Sequence, residues 1–328
     1  MASAADIGID LGTSNIVVYV KGKGIVIRES ALIAYDRDVD KVRAVGEEAR
    51  QMLGRTPGNL SAVRPLKTGS ITDYVLTEQL LRYFIQKAMG RRGFIKPRVA
   101  ISVPTRLTDV ERRAVEEASY QAGAREVIIV PEPIAAAIGS GLEVTRPVGN
   151  MVVDIGGGIT NIAVISTGGI VQAVTIPYGG DVFTEQIVRY VRKKHMLFIG
   201  EQTAEAVKLR IGNASTGGGE QTAAIRGRNV VTGLPNEVTL TSTELVEPLM
   251  DVGEKIADSV CTVIRQTLPE LAGDISQRGI VLCGGGAGLR GIDEIITRRT
   301  GIVTLTAENP ASVVAVGTVR YPEVMGEL

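Results

Sequence analysis

Two stretches of the chain share one pattern of apolar and polar positions. Residues 151–164 read MVVDIGGGITNIAV. A Val-rich run predicts a buried strand ending on Asp154, a turn runs through Gly156, Gly157 and Gly158, and a second strand resumes at Ile162. Residues 7–26 read IGIDLGTSNIVVYVKGKGIV, and residues 151–171 read MVVDIGGGITNIAVISTGGIV. Each holds an Asp, a glycine turn, an Asn, an apolar strand and a closing Gly-Ile-Val, so the chain repeats itself. Elsewhere the period is helical. Leu80, Leu81, Phe84, Ile85 and Ala88 mark one face of a helix over 77–89 that Gly90 ends. Thr108 and Glu111 form a capping box for a helix running to Gly123, and Thr241 and Glu244 form another. The second opens a long helix with Leu245, Leu249, Val252, Ile256, Val260 and Val263 on one face. Strands are expected over 98–103, 127–130 and 279–283, and helices over 181–192 and 203–211. The helices predicted over 134–138 and 309–318 are built of small residues, and the first suits a close crossing between two domains. Residues 28–59 and 212–237 are polar with short strand signals, and read as two small inserts.

Composition narrows the class. A chain of 328 residues exceeds one ordinary core and suggests two domains. Lys+Arg and Asp+Glu both number 36, and a net charge of zero argues against a general nucleic-acid binder. Cys261 and Cys283 each sit in an apolar stretch, which predicts buried free thiols in a reducing compartment. No apolar run approaches the length of a membrane span, and MASAAD lacks the regions of a signal peptide, so neither is expected. His195 follows Arg192, Lys193 and Lys194 and reads as a solvated helix end. Residues 90–98, GRRGFIKPR, show Phe94 and Ile95 among cations in a chain that is only 4% aromatic. Two readings of that pair stand: it folds back onto the core, or it presses into a lipid surface whose head groups attract the flanking cations.

The repeated hairpin is built to hold an anion. Without a Cβ, the backbone can come within hydrogen-bonding distance of phosphate oxygens. Asp154 stands where it could hold a Mg²⁺ that screens them, and Asp10 is its counterpart in the first copy. Two such units facing across a cleft would grip a polyphosphate from both sides.

Five stretches then fall in order: Asp10 to Asn15 (DLGTSN), Pro131-Glu132-Pro133 with its Ala-rich helix, Asp154 to Gly158 (DIGGG), Cys283 to Ala287 (CGGGA), and 309–318. They resemble the two phosphate, two connecting and adenosine motifs of the actin, heat-shock chaperone and sugar-kinase ATPase superfamily. Through DIGIDLGTSN, EPIAAAIGSGL, VVDIGGGIT, the GGD at 179–181, AEAVKLRIG and LCGGGAGLRGI, the chain resembles the bacterial actin MreB family over essentially its whole length. That resemblance implies an α/β actin-like ATPase fold, with two duplicated domains built on ribonuclease-H-like mixed sheets, two small inserted subdomains, and ATP with Mg²⁺ in the cleft between. It implies subdomain IA over 1–32, 66–145 and 313–328, IB over 33–65, IIA over 146–181 and 245–312, and IIB over 182–244. Thr13, Ser14, Asn15, Gly156, Gly157 and Gly158 would cradle the phosphates. Glu205 and Lys208 match the helix beside the nucleoside, and Gly284, Gly285, Gly286 and Ala287 the loop on its other side. Asp10 and Asp154 would hold the metal, and Glu132 would position the attacking water, hydrolysis needing chiefly a held water, an aligned phosphate and a cation.

The chain departs from the family where hydrolysis is concerned. Ile159 stands where most relatives carry a Thr that helps hold the water, and an isoleucine cannot hydrogen-bond. Thr160 is the substitute hydroxyl, although alternation points it to the opposite strand face. Asn161 replaces a commonly acidic residue, and Thr68 replaces a usual Asp. Slow ATP turnover is therefore expected. The resemblance further implies polymerisation into protofilaments and antiparallel double filaments on the inner face of the cell membrane, with wall-synthesis and membrane-adaptor partners. Family members reach the membrane by an N-terminal amphipathic helix or an apolar loop, and here Phe94 and Ile95 are the expected contact. Competing readings are a nucleotide-binding structural filament with negligible turnover, a small-molecule kinase lacking a recognisable substrate-side base, and a chaperone lacking a peptide-binding domain.

Overall fold

A computed structural model describes residues 6–52, 60–67, 69–90, 96–105, 107–217 and 219–326. Phe94, Ile95 and Thr68 lie outside the described residues. The first half opens with β1 (Asp6–Leu11), β2 (Asn15–Val20) and β3 (Gly24–Ser30). A small insert follows: β4 (Ile33–Asp36), β5 (Lys41–Val45), α1 (Glu47–Met52) and β6 (Leu60–Val63). A two-residue ribbon, β7 (Leu66–Lys67) and β8 (Ser70–Ile71), leads to α2 (Tyr74–Met89), β9 (Arg98–Val103), α3 (Asp109–Gln121), β10 (Glu126–Pro131) and α4 (Glu132–Gly139). The second half holds β11 (Asn150–Ile155), β12 (Thr160–Ser166), β13 (Gly169–Ile176) and α5 (Gly180–His195). The chain continues through β14 (Leu197–Phe198), α6 (Glu201–Ile211), β15 (Thr222–Asn229) and β16 (Pro235–Thr241). The chain closes through α7 (Ser242–Gln266), α8 (Pro269–Arg278), β17 (Ile280–Cys283), α9 (Ile292–Thr300), β18 (Thr304–Thr306) and α10 (Val313–Met325).

The duplication seen in the residues is a duplication of topology. One five-stranded sheet runs β10-β9-β1-β2-β3 and the other β18-β17-β11-β12-β13, each with an antiparallel meander of three strands and two further strands parallel to its first. Strand alternation sets the faces. Ile162 and Val164 of β12 point into the core of the second half, while Ala163 and Ile165 join α4 and α10 in a separate apolar layer between the two halves. Both capping boxes form, at Thr108 with Glu111 and at Thr241 with Glu244. Gly90 ends α2 at φ 60°, where a side chain would be strained.

Helices α4 and α10 cross with their backbones in contact. A methyl group at Gly317 would lie 1.8 Å from the Ala135 carbonyl oxygen, and one at Gly139 would lie 2.0 Å from that of Val313. The small-residue pattern is the reason the crossing can be this close. The expected helix over 309–318 begins later than its pattern suggests, as a 3₁₀ turn (Pro310–Ser312) that passes into α10.

Two side-chain expectations are corrected. Cys261 is only partly buried, because α7 turns it toward α9, where its thiol meets the Arg299 carbonyl; Cys283 is buried, and both are free. His195 is not a freely solvated end: its Nε2 lies 2.9 Å from Glu244 Oε2, and its ring stands edge-on to Tyr190. No helix among the described residues is long and apolar enough to cross a membrane.

Candidate functional site

The glycine turns of the two hairpins face each other across a cleft of about 550 Å³, the size of a small-molecule site. Asp10, Thr13, Ser14 and Asn15 line one wall, and Asp154, Gly156 and Gly157 the other. Glu132, Glu205, Lys208, Gly284, Gly285 and Gly286 complete it. Nearly every site residue expected from the sequence is thus gathered in one place.

The two turns touch. The Gly158 amide donates to Thr13 Oγ1 at 3.2 Å, and Ser14 Oγ donates to Asp181 Oδ2 at 3.3 Å. A methyl group at Gly157 would stand 2.0 Å from Ser14 Oγ, so a side chain there would wedge the turns apart. The N-terminus of α5 braces the second turn, with the Gly180 amide donating to the Gly156 carbonyl at 2.9 Å and the Asp181 amide to that of Gly157 at 2.8 Å. Asp181 was not singled out as a site residue; its signal was the Gly-Gly-Asp between strand and helix. It also accepts from Arg64 Nη1 at 2.8 Å, which ties the first insert to the second half.

Three carboxyl groups share the floor. β1 and β11 hold the same place in their sheets, so Asp10 and Asp154 come to the cleft from opposite sides. Ser102 Oγ donates to Asp10 Oδ1 at 3.2 Å. Burial, and then the charge of Asp154, pushes the Asp10 carboxyl up to about 7. Burial pushes Asp154 up to about 6, and burial with the charges of Asp154 and Asp10 raises Glu132 well above the ordinary carboxylate range. Like charges in a low-dielectric site keep their protons unless a cation joins them. No group of three or more His, Cys, Asp or Glu among the described residues closes on a metal alone. Mg²⁺ asks for less, since it takes one or two carboxylates and fills its octahedron with phosphate oxygens and water. Asp10 and Asp154 fit that demand.

This arrangement sets a pH dependence. The folded protein keeps protons on Asp10 and Asp154 that the unfolded chain releases near 3.8. Stability from these groups is full below that pH and is lost as pH rises through about 6 to 7. Between pH 5 and pH 8 the metal-free protein is expected to lose several degrees in melting temperature, and Mg²⁺ with nucleotide to restore them. Calorimetric scans across that range check it; a gain from Mg-nucleotide no larger at pH 8 than at pH 5 would refute it.

Beside the floor, Lys208 is buried and donates to the Gly180 carbonyl at 2.8 Å and to Thr184 Oγ1 at 3.0 Å. Those two bonds anchor α6 to the start of α5, and within α6 Lys208 pairs with Glu205 Oε2 at 2.6 Å. Ile159 lines the cleft and reaches the other half: a methyl group at Gly69 would lie 3.1 Å from Ile159 Cδ1 and 3.5 Å from Pro104 Cβ.

Two expected site residues fall elsewhere. Thr160 Oγ1 donates to the Tyr178 carbonyl at 2.5 Å, on the β12 face turned from α4, so its hydroxyl is spent away from Glu132. Ala287 sits in the apolar core of the second half, behind Gly284 to Gly286. The side chain that meets Glu132 is Asn161, whose Nδ2 donates to Glu132 Oε2 at 2.8 Å.

Two like α/β halves, closing on a cleft floored by carboxylates and walled by glycine turns, define the actin-like class. The chain belongs to the MreB/Mbl family, whose model matches residues 4–328. It is 48% identical over 315 residues to the cell shape-determining protein Mbl of Bacillus cereus, covering 96% of this chain and 95% of that one. To the cell shape-determining protein MreB of Escherichia coli it is 48% identical over 318 residues, covering 95% and 91%. Among solved structures, MreB5 of Spiroplasma citri bound to ADP superposes with a TM-score of 0.93 at 35% identity, covering 99% of this chain and 98% of that one. The MamK double helical filament matches with a TM-score of 0.79 at 22% identity over 98% and 99% of the two chains, a likeness of fold.

Proposed function

We propose that this cell-shape protein binds ATP with Mg²⁺ in the cleft and polymerises head to tail into filaments on the inner face of the cell membrane, turning ATP over slowly. The observation that carries the reading is the meeting of the two glycine turns through Gly158 and Thr13, with Ser14 reaching Asp181 at the start of α5, above paired carboxylates. The solved MreB5 structures with ADP and AMPPNP support the nucleotide, and the MamK filament supports self-assembly. A subunit contact that repeats without closing gives a filament, and nucleotide across both halves would fix their angle and so the fit of the next subunit. The antiparallel pairing of filaments, the wall-synthesis and adaptor partners and the membrane contact at Phe94 and Ile95 rest on the family. The halves divide into subdomains IA and IIA around the two large sheets, with IB over 33–65 and IIB over 182–244 as the inserts.

In the site, Asp10 and Asp154 would hold the Mg²⁺, which when bound screens the phosphate charge. The turns at Thr13 to Asn15 and Gly156 to Gly158 align the phosphates. Lys208 and Glu205 flank the nucleoside on one side and Gly284 to Gly286 on the other. Glu132 accepts a hydrogen bond from the attacking water. Pelleting with Mg-ATP and with a non-hydrolysable analogue, followed by electron microscopy on lipid, tests the reading; no polymer with either nucleotide would sink it. Unchanged liposome binding after both Phe94 and Ile95 become Ser would remove the membrane contact.

Ile159 accounts for the slow turnover. It places methyl groups where a hydroxyl could hold the water and fills space against Gly69 and Pro104. Ile159→Thr is expected to raise phosphate release from assembled protein by about tenfold, the usual reach of one added positioning hydrogen bond. A rate equal to the parent's would show that the slow step lies elsewhere.

A further inference from the structure

Asn161 makes two side-chain hydrogen bonds in the fold. On β12 it lies on the face turned toward α4, opposite Thr160, and it is 3% exposed. Its register partner on β13 is Thr175, whose Oγ1 donates to Asn161 Oδ1 at 2.7 Å. Asn161 Nδ2 donates to Glu132 Oε2 at 2.8 Å; because a hydroxyl can donate or accept, the carboxylate's demand for a donor sets the amide's direction, and Thr175 holds the amide oxygen that is left.

We propose that Asn161, braced by Thr175, is a positioning residue that holds the Glu132 carboxylate in place for water. The inference rests on the reading of Glu132 given above and extends it. A glutamate reaches its site on three rotatable bonds, and it stands here beside the carboxyl groups of Asp154 and Asp10. The amide fixes one of its oxygens to the cleft wall. An ionised acid at position 161 would offer Glu132 only acceptors, whereas the amide offers it a donor. A reacting group misplaced by about one ångström can cost about a hundredfold in rate, so this chain of two hydrogen bonds is sufficient to matter. Thr160 cannot take over the task because its hydroxyl is bonded to the Tyr178 carbonyl on the other face.

The test measures phosphate release and fluorescent-ATP affinity on the full chain with Mg²⁺. Thr175→Val keeps the strand's shape and leaves the amide oxygen unbraced; Asn161→Leu removes the donor. Each is expected to lower the rate by about tenfold or more with nucleotide affinity unchanged, and Thr175→Ser to recover it. In a Glu132→Gln background neither change should lower the rate further, which a loss of folding would not reproduce. If Glu132→Gln lowers hydrolysis while Thr175→Val and Asn161→Leu keep the parent rate, or lose affinity in step with rate, the positioning role is wrong. If Glu132→Gln itself keeps the parent rate, the water-positioning reading of Glu132 falls and this inference with it.

Discussion

Gly317→Val is expected to destabilise the protein by about 3 kcal/mol or more, read as a lower urea midpoint. The atoms nearest a side chain there are the Ala135 carbonyl at 1.8 Å and the Gly139 amide nitrogen at 2.7 Å, and backbone cannot rotate out of the way. Ala135, Ala136 and Ala137 are buried around the contact, so the strain has no surface to escape to. The layer it would disrupt joins both sheets, which makes it a poor place to relax locally. A midpoint equal to the parent's would mean that α4 and α10 are not as close as described.

Asp154→Asn is expected to move two measurements in opposite directions. It removes a charge that faces Asp10 and Glu132, so the metal-free protein should melt higher at pH 8. If Asp154 holds the cation as proposed, the change also removes a hard oxygen ligand, so the affinity for Mg-ATP should fall by about a hundredfold while the affinity measured in chelator stays put. Titration calorimetry with and without chelator separates the two. If Mg-ATP affinity survives, the cation is held elsewhere.

Much of this architecture could be read from one chain because its signals are local. Asp10 and Asp154 end strands whose glycine turns recur in order, and the capping boxes at Thr108 and Thr241 mark helix starts within four residues. Helices α8 and α9 were not anticipated. Both are short and lack a side-chain cap; α8 opens on Pro269, and α9 follows Gly291 in the left-handed region. The contacts that complete the site were out of reach for another reason. Arg64 with Asp181 and Asn161 with Glu132 join residues far apart in sequence, and a single chain carries no record of such distances. Thr160 shows the limit of borrowing a role: strand alternation placed its hydroxyl on the far face, and the assignment of a catalytic part ran against it.

The chain passes from one half to the other by way of α4 and returns through α10, and the two passages touch at a pair of glycines. Were the halves to rotate, this crossing would serve as the axle: Glu132, at the start of α4, would shift little, and residues of the inserts, farther out, would sweep farther.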